Sequence, residues 1–133
     1  NCRSLINHNR QFSDDQLKAL MQRDAVIGMP LDAWMMVPNW VRAQSHPSNT
    51  DVTLAKMIDN MDHICQLAGN TKHVAIGTDL DGGFGTEQGP SDLNTIDDLQ
   101  KLVSMLTARG YSEEDVEGIF CGNWLRVLRS ALS

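Results

Sequence analysis

Two carboxylates stand at the end of an apolar run in HVAIGTDLDGGFG, residues 73–85. Val74, Ala75 and Ile76 read as a buried strand. Gly77 and Thr78 close it, Asp79 and Asp81 follow, and glycines then loosen the chain. In folds built on parallel strands, ligands gather at the carboxyl ends of those strands. An acid at such an end can handle protons or face a metal. It can equally cap a turn, and spacing alone does not choose between the two. A calcium loop is excluded. Asp79 and Asp81 suit its first and third positions, but Gly83 and Pro90 occupy the fifth and twelfth.

The second polar cluster is NCRSLINHNRQ, with Arg3, His8 and Arg10. A guanidinium fork suits a carboxylate or phosphate. Spacing alone favours a solvated loop ahead of a helix. His63, beside Asp62 and four residues after Asp59, is expected on the wet face of its helix. His46 and His73 carry no spacing signal. Trp34, Trp40, Trp124 and the methionines are expected to pack. No HExxH, GxSxG, Walker or GxGxxG pattern occurs.

Local signals define the elements that must position these groups. Ser13 with Gln16 forms a capping box, and Phe12 with Leu17 a hydrophobic staple. The helix that follows carries Leu17, Leu20 and Met21 on one stripe. AVIGM, 25–29, reads as a strand closed by Pro30. Residues 30–49 have no clean period, three of the four prolines and two of the three tryptophans, as expected of a long ordered loop. A helix follows with Leu54, Ile58, Met61, Cys65 and Ala68 on its stripe and Gly69 as its stop. After the strand HVAIG, 73–77, a helix capped by Thr95 buries Ile96, Leu99, Leu102, Val103 and Leu106 and stops at Gly110. Ser112 with Asp115 makes another box, with Tyr111 stapled to Val116. A last helix begins at Asn123.

The chain has 133 residues, 41% hydrophobic and 21% charged, with a net charge of −6. That is a globular composition. The acidic balance argues against a nucleic-acid partner, which calls for a basic footprint. No apolar run approaches a membrane span. Cys2, Cys65 and Cys121 are odd in number and far apart, so no disulfide framework is expected. Cys65 and Cys121 are expected to be buried. No signal peptide is visible, and the cytoplasm is the expected compartment. The start at Asn1 implies that something precedes it. Alternating strands and helices predict an α/β fold with parallel strands. Two strands cannot make an independent parallel sheet, and both outer edges are expected to stand open. The chain therefore reads as part of a larger domain.

The blocks NCRSL…HNRQFSDDQL…AVIGM, MDHICQLAGNTKHVAIGTDLDGG and LTARGYSEEDVEGIFCGNWLRVL closely resemble the carboxyl-terminal part of the membrane (renal) dipeptidase family, metallopeptidases of the amidohydrolase superfamily. The resemblance spans essentially all 133 residues. It implies the carboxyl-terminal portion of a (β/α)8 barrel, with two parallel strands and four to five helices here. Residues 1–133 would be one segment of a single barrel domain. It implies metal-dependent dipeptide hydrolysis by the complete barrel with two zinc ions. A bridging hydroxide would attack the peptide carbonyl. Asp79 matches the aspartate beside the metals that contacts substrate and handles the proton. Arg10 matches the arginine that pairs with the substrate's terminal carboxylate. The family's five metal ligands would lie before Asn1, which aligns just after a Ser-His-Ser segment, so no ligand and no zinc ion is expected of this chain alone. The implied partners are a dipeptide and the remainder of the barrel or another copy of the chain. Two departures stand out. Asn9-Arg10-Gln11 replaces Pro-Arg-Asn, and GMPLDAWMMVPNW replaces a loop that usually starts Asn-Phe-Tyr. Two other readings remain at this point: a non-catalytic barrel remnant that binds a partner or ligand, and an amidohydrolase acting on another amide or a lactone.

Overall fold

The computed structural model describes residues 1–133. Helix α1 (Asp14–Met21) starts where local capping dictates: Ser13 Oγ accepts from Gln16 N, and Gln16 Oε1 accepts from Ser13 N. Leu17 is fully buried, with Leu20 and Met21 at the core margin. Phe12 remains 39% exposed, so the expected staple stays open to solvent on that side.

The chain then forms β1 (Ile27–Pro30), α2 (Leu54–Ala68) and β2 (Val74–Thr78). The strands pair in parallel, Ile27 opposite Val74 and Met29 opposite Ile76, with a register shift before Pro30 opposite Thr78. Strand β1 starts two residues into its apolar run, and β2 starts at Val74, one residue after His73. Ala25 N still bonds to Leu20 O and closes the turn after α1. His73 Nδ1 lies 2.8 Å from Ala25 O, which fixes the entry to β1. Helix α2 is the crossover and packs on both strands. Its buried face is Leu54, Met57, Ile58, Met61 and Ile64, while Cys65 is half-buried. The stripe is thus rotated from the expected one toward Met57 and Ile64. Gly69 ends the helix at φ 70°, a left-handed conformation that glycine accepts without penalty.

After β2 come a 3₁₀ stretch (Ile96–Gln100), α3 (Lys101–Ala108), α4 (Glu113–Glu117), a π turn (Gly118–Gly122) and α5 (Asn123–Leu132). The π turn joins α4 and α5 into one continuous rod. The expected stripe fails at Ile96 and Val103. Ile96 is 75% and Val103 40% exposed, because the first turns wind with a period near three and rotate Ile96 outward. Leu102 and Leu106 are fully buried.

Helix α5 begins at Asn123 as expected, and the Asn123 side chain has a further task. Its Nδ2 donates to Thr71 O and Val74 O at 2.9 and 2.8 Å. Trp124 Nε1 donates to Ile76 O at 3.0 Å. His73 O accepts from Ile27 N of β1 and Thr78 O from Leu31 N just past it, whereas Val74 O and Ile76 O face the other way. The outer edge of β2 is therefore partly closed by two side chains, against the expectation of two open edges. Close approach makes this possible. A Cβ at Gly77 would meet Gly28 C at 2.8 Å, and one at Gly28 would meet Trp124 Cζ2 at 3.0 Å.

The cysteines also differ from expectation. Cys121 is exposed, and Cys2 is the fully buried one. Burial pushes the Cys2 thiol up to about 11, which leaves it unreactive. His63 is not on a wet face. Its Nε2 lies 2.8 Å from Asp14 Oδ1 and 3.0 Å from Ser4 Oγ, tying α2 to the first turn of α1. No helix is long and apolar enough to cross a membrane.

Candidate active site

Because β1 and β2 are parallel, their carboxyl ends share one edge. Leu31 N donates to Thr78 O at 2.8 Å and joins the two chain exits. Past this bond β2 turns sharply. Thr78, Asp79 and Asp81 have φ of 46°, 62° and 60°. Left-handed backbone is unusual for any residue with a side chain and most of all for a β-branched one. Each such residue costs about 1–3 kcal/mol and persists only where its surroundings impose it. Asp79 N bonds to Gly77 O at 2.7 Å and Gly82 N to Asp79 O at 3.0 Å, which holds the turn. A Cβ at Gly82 would lie 2.4 Å from Asp79 Oδ1 and 2.8 Å from Asp79 O. The glycine thus has a steric task beside the acid. The Asp79 side chain is exposed on this edge. Asp81, in contrast, lines a hollow of about 490 Å³ with Thr78, Phe84 and Leu93.

On the same edge, the loop leaving β1 meets the Arg3–Arg10 segment. Arg3 donates to the carbonyls of His8, Asn9 and Gln11 and serves as the frame of that segment. Arg10 is left with its guanidinium carbon 5.2 Å from the centre of the Trp34 ring, a cation–π contact. His8 meets the same ring edge-on at 4.7 Å and accepts from Arg10 N at 3.2 Å. Trp34 is in turn fixed by Asp32. Trp34 Nε1 donates to Asp32 Oδ2 and Gln88 Nε2 to Asp32 Oδ1, both at 2.8 Å.

Asp32 is only 7% exposed and is the residue that sequence reading missed. One of its partners, Gln88, is 56 residues away. The legible part of the signal was D-x-W just beyond a strand end, where a carboxylate can reach the indole two residues on. Asp79 and Arg10 lie on one edge without a bond between them. Their link runs through Thr78, Leu31, Asp32 and Trp34.

A different hollow, toward the amino end of β2, is lined by Asp62, Cys65, Arg109 and Tyr111. Arg109 pairs with Asp59 and Asp62, and Tyr111 Oη donates to Asp62 at 2.6 Å. Burial, followed by the Asp62 carboxylate, pushes the Tyr111 hydroxyl up. These groups satisfy one another and brace α2 against α3. No three His, Cys, Asp or Glu side chains converge anywhere, so the chain offers no complete set of metal ligands by itself.

The model of the membrane dipeptidase family, peptidase family M19, matches residues 1–133. Dipeptidase aclJ of Aspergillus oryzae is 33% identical over 128 residues, which cover 94% of this chain and 27% of that protein. Dipeptidase 3 of Homo sapiens is 27% identical over 128 residues, covering 96% of this chain and 22% of that one. A metallo peptidase from Rhodobacter sphaeroides, solved with a phosphinate mimic of the dipeptide L-Ala-D-Ala, superposes with a TM-score of 0.79 at 19% identity. That match covers 97% of this chain and 34% of the other. The chain thus spans about a quarter of the two curated relatives. Its two parallel strands and their helices are part of the α/β barrel of these proteins, and the chain belongs to the membrane dipeptidase family, peptidase family M19.

Proposed function

We propose that residues 1–133 are one segment of a single barrel domain that hydrolyses dipeptides in a metal-dependent reaction. The remainder of the barrel is the partner. The observation that carries the reading is the strained Thr78–Asp81 turn, which presents an acid at the carboxyl edge of the strands. Left-handed backbone also occurs at Asp24, Asn39 and Ala43, but only here does it fall on a β-branched residue and two acids at the carboxyl edge of the strands, and strain of this kind clusters at reacting centres. The dipeptide mimic bound by the Rhodobacter neighbour supports the substrate class.

In this reading Asp79 accepts and returns a proton at its carboxylate while the peptide bond is cleaved. Positioned acid–base groups contribute about 10²–10⁴-fold. Arg10 holds the substrate's terminal carboxylate through its fork and fixes the scissile bond relative to Asp79. Trp34 aims Arg10, and Asp32 aims Trp34. The family implies metal, which supplies Lewis-acid chemistry when bound. The residues of this chain do not complete a site for it. Their part is substrate placement and proton handling.

The test is a dipeptide panel assayed with the complete protein, before and after chelation and zinc readdition. Hydrolysis that chelator abolishes and zinc restores is expected. Chelator-insensitive hydrolysis, or none, contradicts the reading.

A further inference from the structure

A hollow of about 510 Å³ opens beside the Arg10 platform, lined by Asn7, His8, Trp34, Trp40, Arg42 and Gln88 among others. Its chemistry is one-sided. None of the lining residues is Asp or Glu. The Trp40 Nε1 donor is buried and has no partner. Arg42 makes one side-chain hydrogen bond, from Nε to Gln88 Oε1 at 3.4 Å, and no salt bridge, so its terminal nitrogens are free. Gln88 is oriented by the buried Asp32, whose Oδ1 takes the Gln88 amide and leaves the Gln88 carbonyl toward Arg42. Asp32 therefore frames both arginines, Arg10 through Trp34 and Arg42 through Gln88.

A hollow with an exposed cation, two indole walls and no carboxylate in its lining lacks an acceptor that carries negative charge. A carboxylate in the hollow would answer the Arg42 guanidinium with a charge-assisted hydrogen bond. The hollow shares Trp34 with the group assigned to the terminal carboxylate, so it lies next to the carboxyl-terminal residue of a bound dipeptide. We propose that this pocket receives the side chain of that residue and selects an acidic one, with Arg42 as the specificity-determining residue. The proposal rests on the dipeptidase reading for the identity of the ligand. The free end of Arg42 and the lack of a carboxylate in the lining do not depend on it.

The test compares the isosteric pair Ala-Glu and Ala-Gln on the complete, metal-loaded protein. Wild type should prefer Ala-Glu by about tenfold in kcat/KM, the scale of one charge-assisted contact. Arg42→Met should bring the ratio to about one, and Arg42→Lys, which keeps the charge, should retain several-fold of it. Hydrolysis of both dipeptides at equal efficiency by wild type, or a ratio unmoved in Arg42→Met, overturns the pocket and leaves the dipeptidase reading intact. If neither dipeptide is hydrolysed, the dipeptidase reading fails, and tryptophan fluorescence decides the pocket. Quenching of Trp34 and Trp40 by Ala-Glu at about tenfold lower concentration than by Ala-Gln, lost in Arg42→Met, supports it. Equal titrations overturn it.

Discussion

Gly82 lies against the Asp79 carboxylate so closely that a Cβ at position 82 would come within 2.4 Å of Asp79 Oδ1. The same atom would lie 2.8 Å from Asp79 O. The side chain could swing away, but the backbone oxygen is held by the turn bond from Gly82 N. Gly82→Ala should therefore displace the acid rather than merely crowd it. The expected result in the complete protein is a fall in kcat of at least about tenfold with little change in melting temperature, since the turn is exposed and buries little. Steady-state kinetics and a thermal melt on the same preparation check this.

Arg10→Lys keeps the charge and loses the planar fork over Trp34. If Arg10 holds the terminal carboxylate, kcat/KM should fall for a free dipeptide far more than for its carboxamide. The ratio of the two, wild type against variant, is the measurement. Equal losses on both substrates would assign Arg10 a structural role.

Asn123 gives both amide hydrogens to carbonyls, Thr71 O ahead of β2 and Val74 O at its start, and is 7% exposed. Asn123→Leu leaves those two carbonyls without donors in a buried place. A loss of about 1–3 kcal/mol per unpaired group sets the scale. The expected outcome is a clearly lower denaturation midpoint at unchanged denaturant slope, measured on the complete protein.

Asp98 sits before α3 and takes Lys101 Nζ at 2.7 Å together with the backbone N–H groups of Asn94 and Thr95. The Lys101 contact first, and then the two N–H groups, hold its carboxyl down to about 2, from an ordinary 3.8. A carboxyl held low in the folded state stabilises above its unfolded value and loses that contribution as pH falls through the folded value. The melting-temperature gap between wild type and Asp98→Asn should be constant above about pH 5 and close between about pH 4 and 2. A gap that widens on acidification contradicts the assignment.

What the sequence made legible was local. The boxes at Ser13 and Ser112 need only a partner three residues on, and both form as expected. The two strands announced themselves by apolar runs ending at Pro30 and Gly77. What escaped depends on distant partners. Asp32 owes its role to Gln88, His63 to Asp14 and Ser4, and Asn123 to the carbonyls of β2. None of these pairs leaves a spacing signature. Ile96 was misplaced for a different reason: a capping residue marks where a helix starts, not whether its first turn winds as 3₁₀ or α. At the candidate site the glycines and acids were visible, but the left-handed backbone of Thr78, Asp79 and Asp81 was not.

In the proposed reaction Asp79 handles a proton and is not a metal ligand. The most direct measurement is kcat of Asp79→Asn in the complete protein, with zinc content determined on the same sample. A fall of at least about 10²-fold with zinc stoichiometry equal to wild type is expected. Turnover near the wild-type value, or loss of zinc in step with activity, would contradict it.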